Sequence, residues 1–273
     1  MSPFRYPGGK GFLTGFLANR LDTLPRLQRQ YVEPFAGGAG AAVNLLYSSK
    51  VEFIHLNDLD VRIYSAWKAI LDENERFVGE VNACEVSIDT WRWAKSIVEN
   101  PADEYSFDTG FATFFINRTS RSGIISGSGP IGGYEQKGKW TIGARFYKAT
   151  LMRRLKWIGR HRDRITLSRM PAIDFLQDRN KRLDQENTMY FIDPPYVKIG
   201  SRLYLDGLMI DGHTELANYL MRSELKNWVL TYDNHPLVWK LYRDVNINLL
   251  EVSYSLANTR KENEVVITPI TAI

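Results

Sequence analysis

Apolar positions change period several times along this chain. Phe12, Phe16, Leu17 and Leu21 recur at helical spacing until Pro25 ends the pattern. A short apolar strand at 31–35 then meets a glycine-rich turn at 36–40, a helix start at 41–47, and a second strand at 51–56 that runs into Asn57-Asp58. Strand, glycine turn, helix, strand and acid together open a doubly wound nucleotide-binding sheet. From 61 to 117 the period is helical, with Ile63, Trp67, Ile70 and Leu71 on one face and Trp91, Ala94, Lys95 and Val98 on another. Nothing in that stretch has the pattern of a parallel strand. Between 117 and 146 the composition turns to Gly, Ser, Arg and Lys, which predicts a glycine-rich loop or hairpin; a basic helix is expected over 145–161. Strand patterns return at 164–167, 189–192, 228–231, 247–250 and 265–267. The expected fold is therefore α/β, a Rossmann-like sheet interrupted by a mainly helical insertion. The sheet domain is expected over 1–66 and 165–273, and the insertion over 67–164.

Composition narrows the class. The chain has 273 residues, 44% hydrophobic and 24% charged, ordinary values for a folded protein. No apolar run approaches the roughly 20 residues of a membrane span, and the first residues lack an apolar leader core, so a cytoplasmic protein is expected. The single cysteine, Cys84, excludes an intrachain disulfide, and His55, His161, His213 and His235 are scattered without ligand spacing. Chemistry without a protein-bound metal is the expectation. Charge is uneven: residues 115–164 hold twelve Lys or Arg against two acids, net +10 in a chain whose total is +4. Such a block is either a polyanion-binding face or a solvated surface.

Two motifs carry candidate chemistry. Asp193-Pro194-Pro195-Tyr196 follows an apolar strand directly, placing an acid at the carboxyl end of a strand, where open α/β sheets bind ligands. The paired prolines stop the strand and stiffen the turn. The Asp193 carboxylate and the Pro194 carbonyl suit an amine that donates two hydrogens, such as the exocyclic amine of adenine, and Tyr196 suits stacking on a base. The second motif, 33–40, brings Glu33, Phe35, Gly37 and Gly38 into a turn whose backbone can approach a ligand closely. Asp58, at the end of the next strand, can accept both ribose hydroxyls or cap a helix, and Asp60 competes for the ribose role.

These motifs, with Phe4-Arg5-Tyr6-Pro7-Gly8-Gly9-Lys10 ahead of them, resemble in content and order the Dam-type (class alpha) DNA N6-adenine methyltransferases. The resemblance covers nearly the whole chain and is weakest over 74–108. It implies an S-adenosylmethionine-dependent methyltransferase sheet carrying a target-recognition insertion, with double-stranded DNA as partner and S-adenosylhomocysteine as product. It implies cofactor contacts from Tyr6, Lys10, Glu33, Phe35, Gly37, Gly38, Asp58, Asp174 and Asp193, and catalysis by Asp193, Pro194 and Tyr196. It implies DNA contacts from a segment that begins Asn117-Arg118 and includes Arg121, together with Lys137, Lys139 and Arg145. A cognate restriction enzyme is a candidate partner. Thr119-Ser120 stands where relatives that read GATC carry an aromatic, so GATC specificity is not carried over. The cations of the basic helix, Lys148, Arg153, Arg154, Lys156, Arg160 and Arg162, fit phosphate contact or plain solvation. Residues 231–234 line the base pocket or form an ordinary turn, and 255–267 resemble the family's last hairpin.

Three rivals were weighed. Guanine-N2 RNA methyltransferases also end a strand in Asp-Pro-Pro, without so long an insertion after the glycine turn. A protein-glutamine methyltransferase would more typically carry Asn at 193. A DNA-binding protein derived from such an enzyme would lack chemistry, yet here each motif residue is present.

Overall fold

The structure, a computed structural model, describes residues 1–5, 13–197, 210–255 and 259–270, with the backbone alone at 251–263. Five parallel strands form the body of one sheet: β1 (Gln30–Glu33), β2 (Phe53–Asn57), β3 (Ile165–Ser168), β4 (Thr188–Ile192) and β5 (Trp228–Asp233). A long antiparallel pair, β6 (Asn246–Ser255) and β7 (Thr259–Thr268), completes it, with β7 inserted antiparallel beside β5. The order is β3-β2-β1-β4-β5-β7-β6. All seven strand patterns in the sequence correspond to strands. Burial explains their apolar character: every residue of β4 is buried, as befits a parallel strand covered on both faces. Strand order reverses between β1 and β4, so the loops after these strands diverge and leave a crevice at their carboxyl ends.

Helix α1 (Thr14–Leu21) precedes the sheet, and α2 (Gly40–Tyr47) connects β1 to β2. The stretch between β2 and β3 is helical, as its periodicity predicts: α3 (Val61–Asp72), α4 (Asn74–Ala83), α5 (Ile88–Glu99), α6 (Phe107–Thr119) and α7 (Lys148–Arg160). Helix α6 is buried on nearly every face, with only Asp108 exposed. Its Phe111 and Phe114 rings meet Phe77 of α4 edge-on at 5.7 and 5.3 Å. This group packs directly on the sheet, since Ile54 and Leu56 of β2, Trp67, Phe114 and Leu151 belong to one continuous core. A second core, around Leu176, Tyr190, Trp228 and Tyr242, lies under α8 (Ala172–Arg182), α9 (Ile210–Arg222) and α10 (Pro236–Leu241).

Of the loop or hairpin expected over the glycine-rich stretch, the structure shows a loop, closed by a single antiparallel bridge, Ser120 to Pro130. The expected start of the basic helix needs correction. Helix α7 starts at Lys148, because residues Ile142–Arg145 form a separate 3-10 turn and Phe146 is buried between the two. Among the described residues, no helix is long and apolar enough to cross a membrane.

Gly110 is where α6 crosses α3. A Cβ there would lie 2.5 Å from the Ser65 carbonyl oxygen, a backbone atom with no freedom to retreat. Gly110→Ala is expected to cost about 1–3 kcal/mol, read as a fall in thermal midpoint; an unchanged midpoint would contradict this close packing.

Candidate active site

The crevice at the switch point holds a cavity of about 470 Å³, a size that suits a small ligand. Each wall comes from a strand end. The turn after β1 supplies Glu33, Phe35, Gly37 and Gly38; the segment after β2 supplies Asn57, Asp58 and Asp60; the start of α8 supplies Asp174; the end of β4 supplies Phe191, Asp193 and Pro195. Ser2 and Phe4 close one side. The sequence motifs at 33–40, 58, 174 and 193 therefore meet at one place. Tyr6 and Lys10 lie outside the described residues.

The glycine turn is held from below by buried polar groups. Gly37 has φ +46°, and its N–H donates to Asp58 Oδ2 at 2.8 Å while its carbonyl accepts from Trp67 Nε1 at 2.8 Å. Asn57, fully buried, donates to the carbonyls of Pro34 and Met170, both at 3.0 Å, and accepts from the Met170 N–H at 3.1 Å. One amide thus fastens the loops that follow β1 and β3. The roles of Asn57 and Trp67 escaped the sequence reading. The only available signal for Asn57 was its place at a strand end just before an acid.

Asp58 and Asp60 separate cleanly. Asp60 caps α3, accepting from the Arg62 N–H at 2.9 Å, and pairs with the buried Arg62 guanidinium at 2.6 Å. Asp58 accepts from Gly37 and from the Asp60 N–H at 3.1 Å. A carboxylate has about four acceptor sites, so these bonds leave capacity for ligand hydroxyls. Burial, and secondarily the Asp60 charge, push Asp58 up to about 7 against the pull of its N–H donors. Glu33 is 4% exposed and accepts from Tyr31 Oη at 3.0 Å and the Ala42 N–H at 3.3 Å. Burial pushes it up to about 8, with Asp193 adding to the shift.

Asp193 is braced from β5: Thr231 Oγ1 donates to its Oδ1 at 2.7 Å, which places 231 beside the site. Pro194 and Pro195 are buried. Tyr196 Oη donates to Glu264 Oε1 of β7 at 2.6 Å, and the Val197 N–H donates to Asp233 Oδ1 at 3.1 Å. Sequence reasoning missed Glu264, which stands 68 residues from its partner.

The expected DNA-contact residues divide into two groups. Arg121, Lys137, Lys139 and Arg145 are exposed. Asn117 and Arg118 are buried at the end of α6. Asn117 accepts from the Arg5 N–H at 2.7 Å and donates to the carbonyls of Arg5 and Gly123, and Arg118 donates to the carbonyls of Pro3 and Arg145. They fasten the N-terminal segment to the loop. Burial and the nearby Arg5, Arg154 and Arg145 charges lower Arg118 to about 10. Of the basic-helix cations, Lys148 donates to the Asn82 and Cys84 carbonyls, Arg154 to the Ser2 carbonyl, and Arg162 to Asp72. Cys84 is buried, and burial raises its thiol to about 11. Among the described residues no group of three His, Cys, Asp or Glu could hold a metal ion.

Fold and site together define an open α/β protein with an acid-lined ligand cleft at its switch point. Residues 6–105 match the family model of D12 class N6 adenine-specific DNA methyltransferases. The matched segment contains the glycine turn and Asp58 but ends well before Asp193, so the Asp-Pro-Pro-Tyr site is an independent observation. No curated protein matches the chain.

The buried acids make stability depend on pH. Glu33 has a folded pKa raised above its unfolded value, so its contribution is full below about pH 4.5 and is lost as pH rises through about 8. Glu33→Gln retains both acceptor contacts and removes the charge. It is expected to raise the thermal midpoint of the ligand-free protein at pH 9, by roughly 2–4 °C per kcal/mol of relieved desolvation, and to leave it little changed at pH 5. A variant less stable than wild type at pH 9 would contradict the burial of this charge.

Proposed function

We propose that this protein binds S-adenosylmethionine in the cleft between the β1 and β4 loops and methylates an adenine extruded from duplex DNA. The observation that carries the reading is the convergence, in one cavity, of the glycine turn, Asp58, Asp193 and Pro195. The residues fit that cofactor. Gly37 and Gly38 bring backbone without side chains to the cavity, and Phe35 offers an apolar wall. Asp58 offers acceptors for a ribose, and Asp174 lies in the first turn of α8, where it can meet the cofactor's adenine. Asp58, Asp174 and Asp193 make the cleft acidic, which suits a ligand carrying a sulfonium and an ammonium. When bound, the cofactor supplies an electrophilic methyl group.

The chain's own residues do the rest. The Asp193 carboxylate and the Pro194 carbonyl accept the two amine hydrogens and aim the nitrogen lone pair away from ring conjugation. Thr231 fixes the plane of the Asp193 carboxylate, and Glu264 fixes the hydroxyl end of Tyr196, whose ring stacks on the base. Nitrogen gains positive charge as it is methylated. The carboxylate at 193 stabilises that charge and takes up the proton, so orientation and electrostatics lower the barrier. Residues 67–164 act as the target-recognition insertion, with Arg121, Lys137, Lys139 and Arg145 on backbone phosphates. Asn117 and Arg118 serve this surface indirectly, by holding the loop that displays it.

Asp193→Ala is expected to lower methyl transfer to DNA by at least ~100-fold while the DNA dissociation constant stays within a few-fold of wild type. Transfer of labelled methyl from the cofactor, with calorimetry for binding, checks this; normal turnover by the variant would remove Asp193 from the chemistry.

A further inference from the structure

The loop between α6 and α7 carries a feature that the cleft does not use. Three large aromatics in it are exposed: Tyr134 at 57%, Trp140 at 61% and Tyr147 at 58%. They lie within the segment of net charge +10 and alternate with Lys137, Lys139 and Arg145. Lys137 pairs with Glu135 at 2.8 Å, the one acid among these residues. A solvated basic surface has no need of aromatic rings, and a protein-binding apolar patch would not be interleaved with an excess of cations. Rings set among cations suit nucleic acid, whose bases stack and whose phosphates are anionic.

The three rings are not equivalent. Tyr134 packs edge-on against Trp91 at 5.6 Å. Tyr147 directly precedes α7, close enough to Arg118 to act on its charge. Trp140 is the largest and most exposed, and its described ring neighbour is Lys139, with Nζ 5.9 Å from the ring centre.

The backbone beneath Trp140 is firmly held. Gly132 has φ +85°, and a Cβ there would come within 2.4 Å of the Trp140 carbonyl oxygen, so the two segments are pressed together. Gln136 ties the loop across itself: its Nε2 donates to the Ile131 and Gly133 carbonyls at 2.9 and 2.5 Å, and its Oε1 accepts from the Ile142 N–H at 2.7 Å. The loop's root joins the cleft, because Arg62 donates to Ser126 Oγ at 2.6 Å and to Asp60, a residue of the cavity wall. A firmly held loop that displays one large ring, and whose root is tied through Arg62 to the wall of the cleft, suits insertion into a duplex.

We propose that Trp140 enters the DNA stack and fills the gap left when the target adenine is extruded. The proposal rests on the functional reading above and deepens it. Extrusion leaves the partner base and both flanking pairs without a stacking neighbour, and an inserted side chain offsets that loss.

The test uses the full-length protein and two duplexes containing a site that the wild-type protein methylates. One is fully paired; the other has an abasic position opposite the target adenine, so that extrusion is already easier. Trp140→Ala is expected to lower the transfer rate on the paired duplex roughly tenfold or more and to lie within about twofold of wild type on the abasic one. Its cofactor affinity by calorimetry should be unchanged. Trp140→Phe should restore most of the rate, and Trp140→Lys, which adds charge without a ring, should not. An equal loss on both duplexes, no loss on either, or rescue by Lys would overturn the proposal. Absence of any transfer to DNA by the wild-type protein would refute the functional reading, and this proposal with it.

Discussion

The hydrogen-bonding node at the end of β2 holds the site together. Asn57 and Asp58 reach sideways under the loops after β1 and β3, satisfying the backbone of Pro34, Gly37 and Met170 where burial keeps water from doing so. A buried backbone group without a partner costs about 1–3 kcal/mol, so loss of either side chain would affect several groups at once. The cleft is therefore a constructed space, with its floor set by β1, β2 and β4 and its width set by one amide and one carboxylate. Asp58 in turn bears a cost, since burial raises its pKa to about 7. Strain of this kind is expected where a carboxylate must stay ready for a ligand.

Charge is divided in space to match two different ligands. The cleft gathers Glu33, Asp58, Asp174 and Asp193, while the loop and helix on the far side of α6 concentrate net +10. A cationic cofactor and a polyanionic duplex would each meet the surface of opposite sign. The two regions are joined mechanically by Arg62, which pairs with Asp60 at the cleft wall and with Ser126 in the basic loop, and by Asn117, which ties that loop to the N-terminal segment beside Phe4.

Much of this was legible in the sequence, for identifiable reasons. Parallel strands covered on both faces must be apolar runs, so β1, β4 and β5 declare themselves. Prolines at 194 and 195 cannot continue a ladder, so Asp193 had to stand at a strand end. Less legible were interactions joining distant residues. Nothing local marks Glu264 as the partner of Tyr196, or Thr231 as the partner of Asp193. Asn117 and Arg118 were less legible still. Polar residues at the head of a basic stretch suggest a surface, yet tertiary packing buries both, and each answers its burial with backbone partners. The exact start of α7 was lost for a smaller reason: Phe146 turns inward and divides a 3-10 turn from the helix that the charge pattern had merged.

The most direct test is the chemical identity of the product. DNA incubated with the purified protein and S-adenosylmethionine bearing an isotopically labelled methyl group would be digested to nucleosides and resolved by mass spectrometry. The account requires the label on N6-methyladenine and on no other nucleoside. Label on a cytosine, or in RNA but not in DNA offered alongside it, would contradict it.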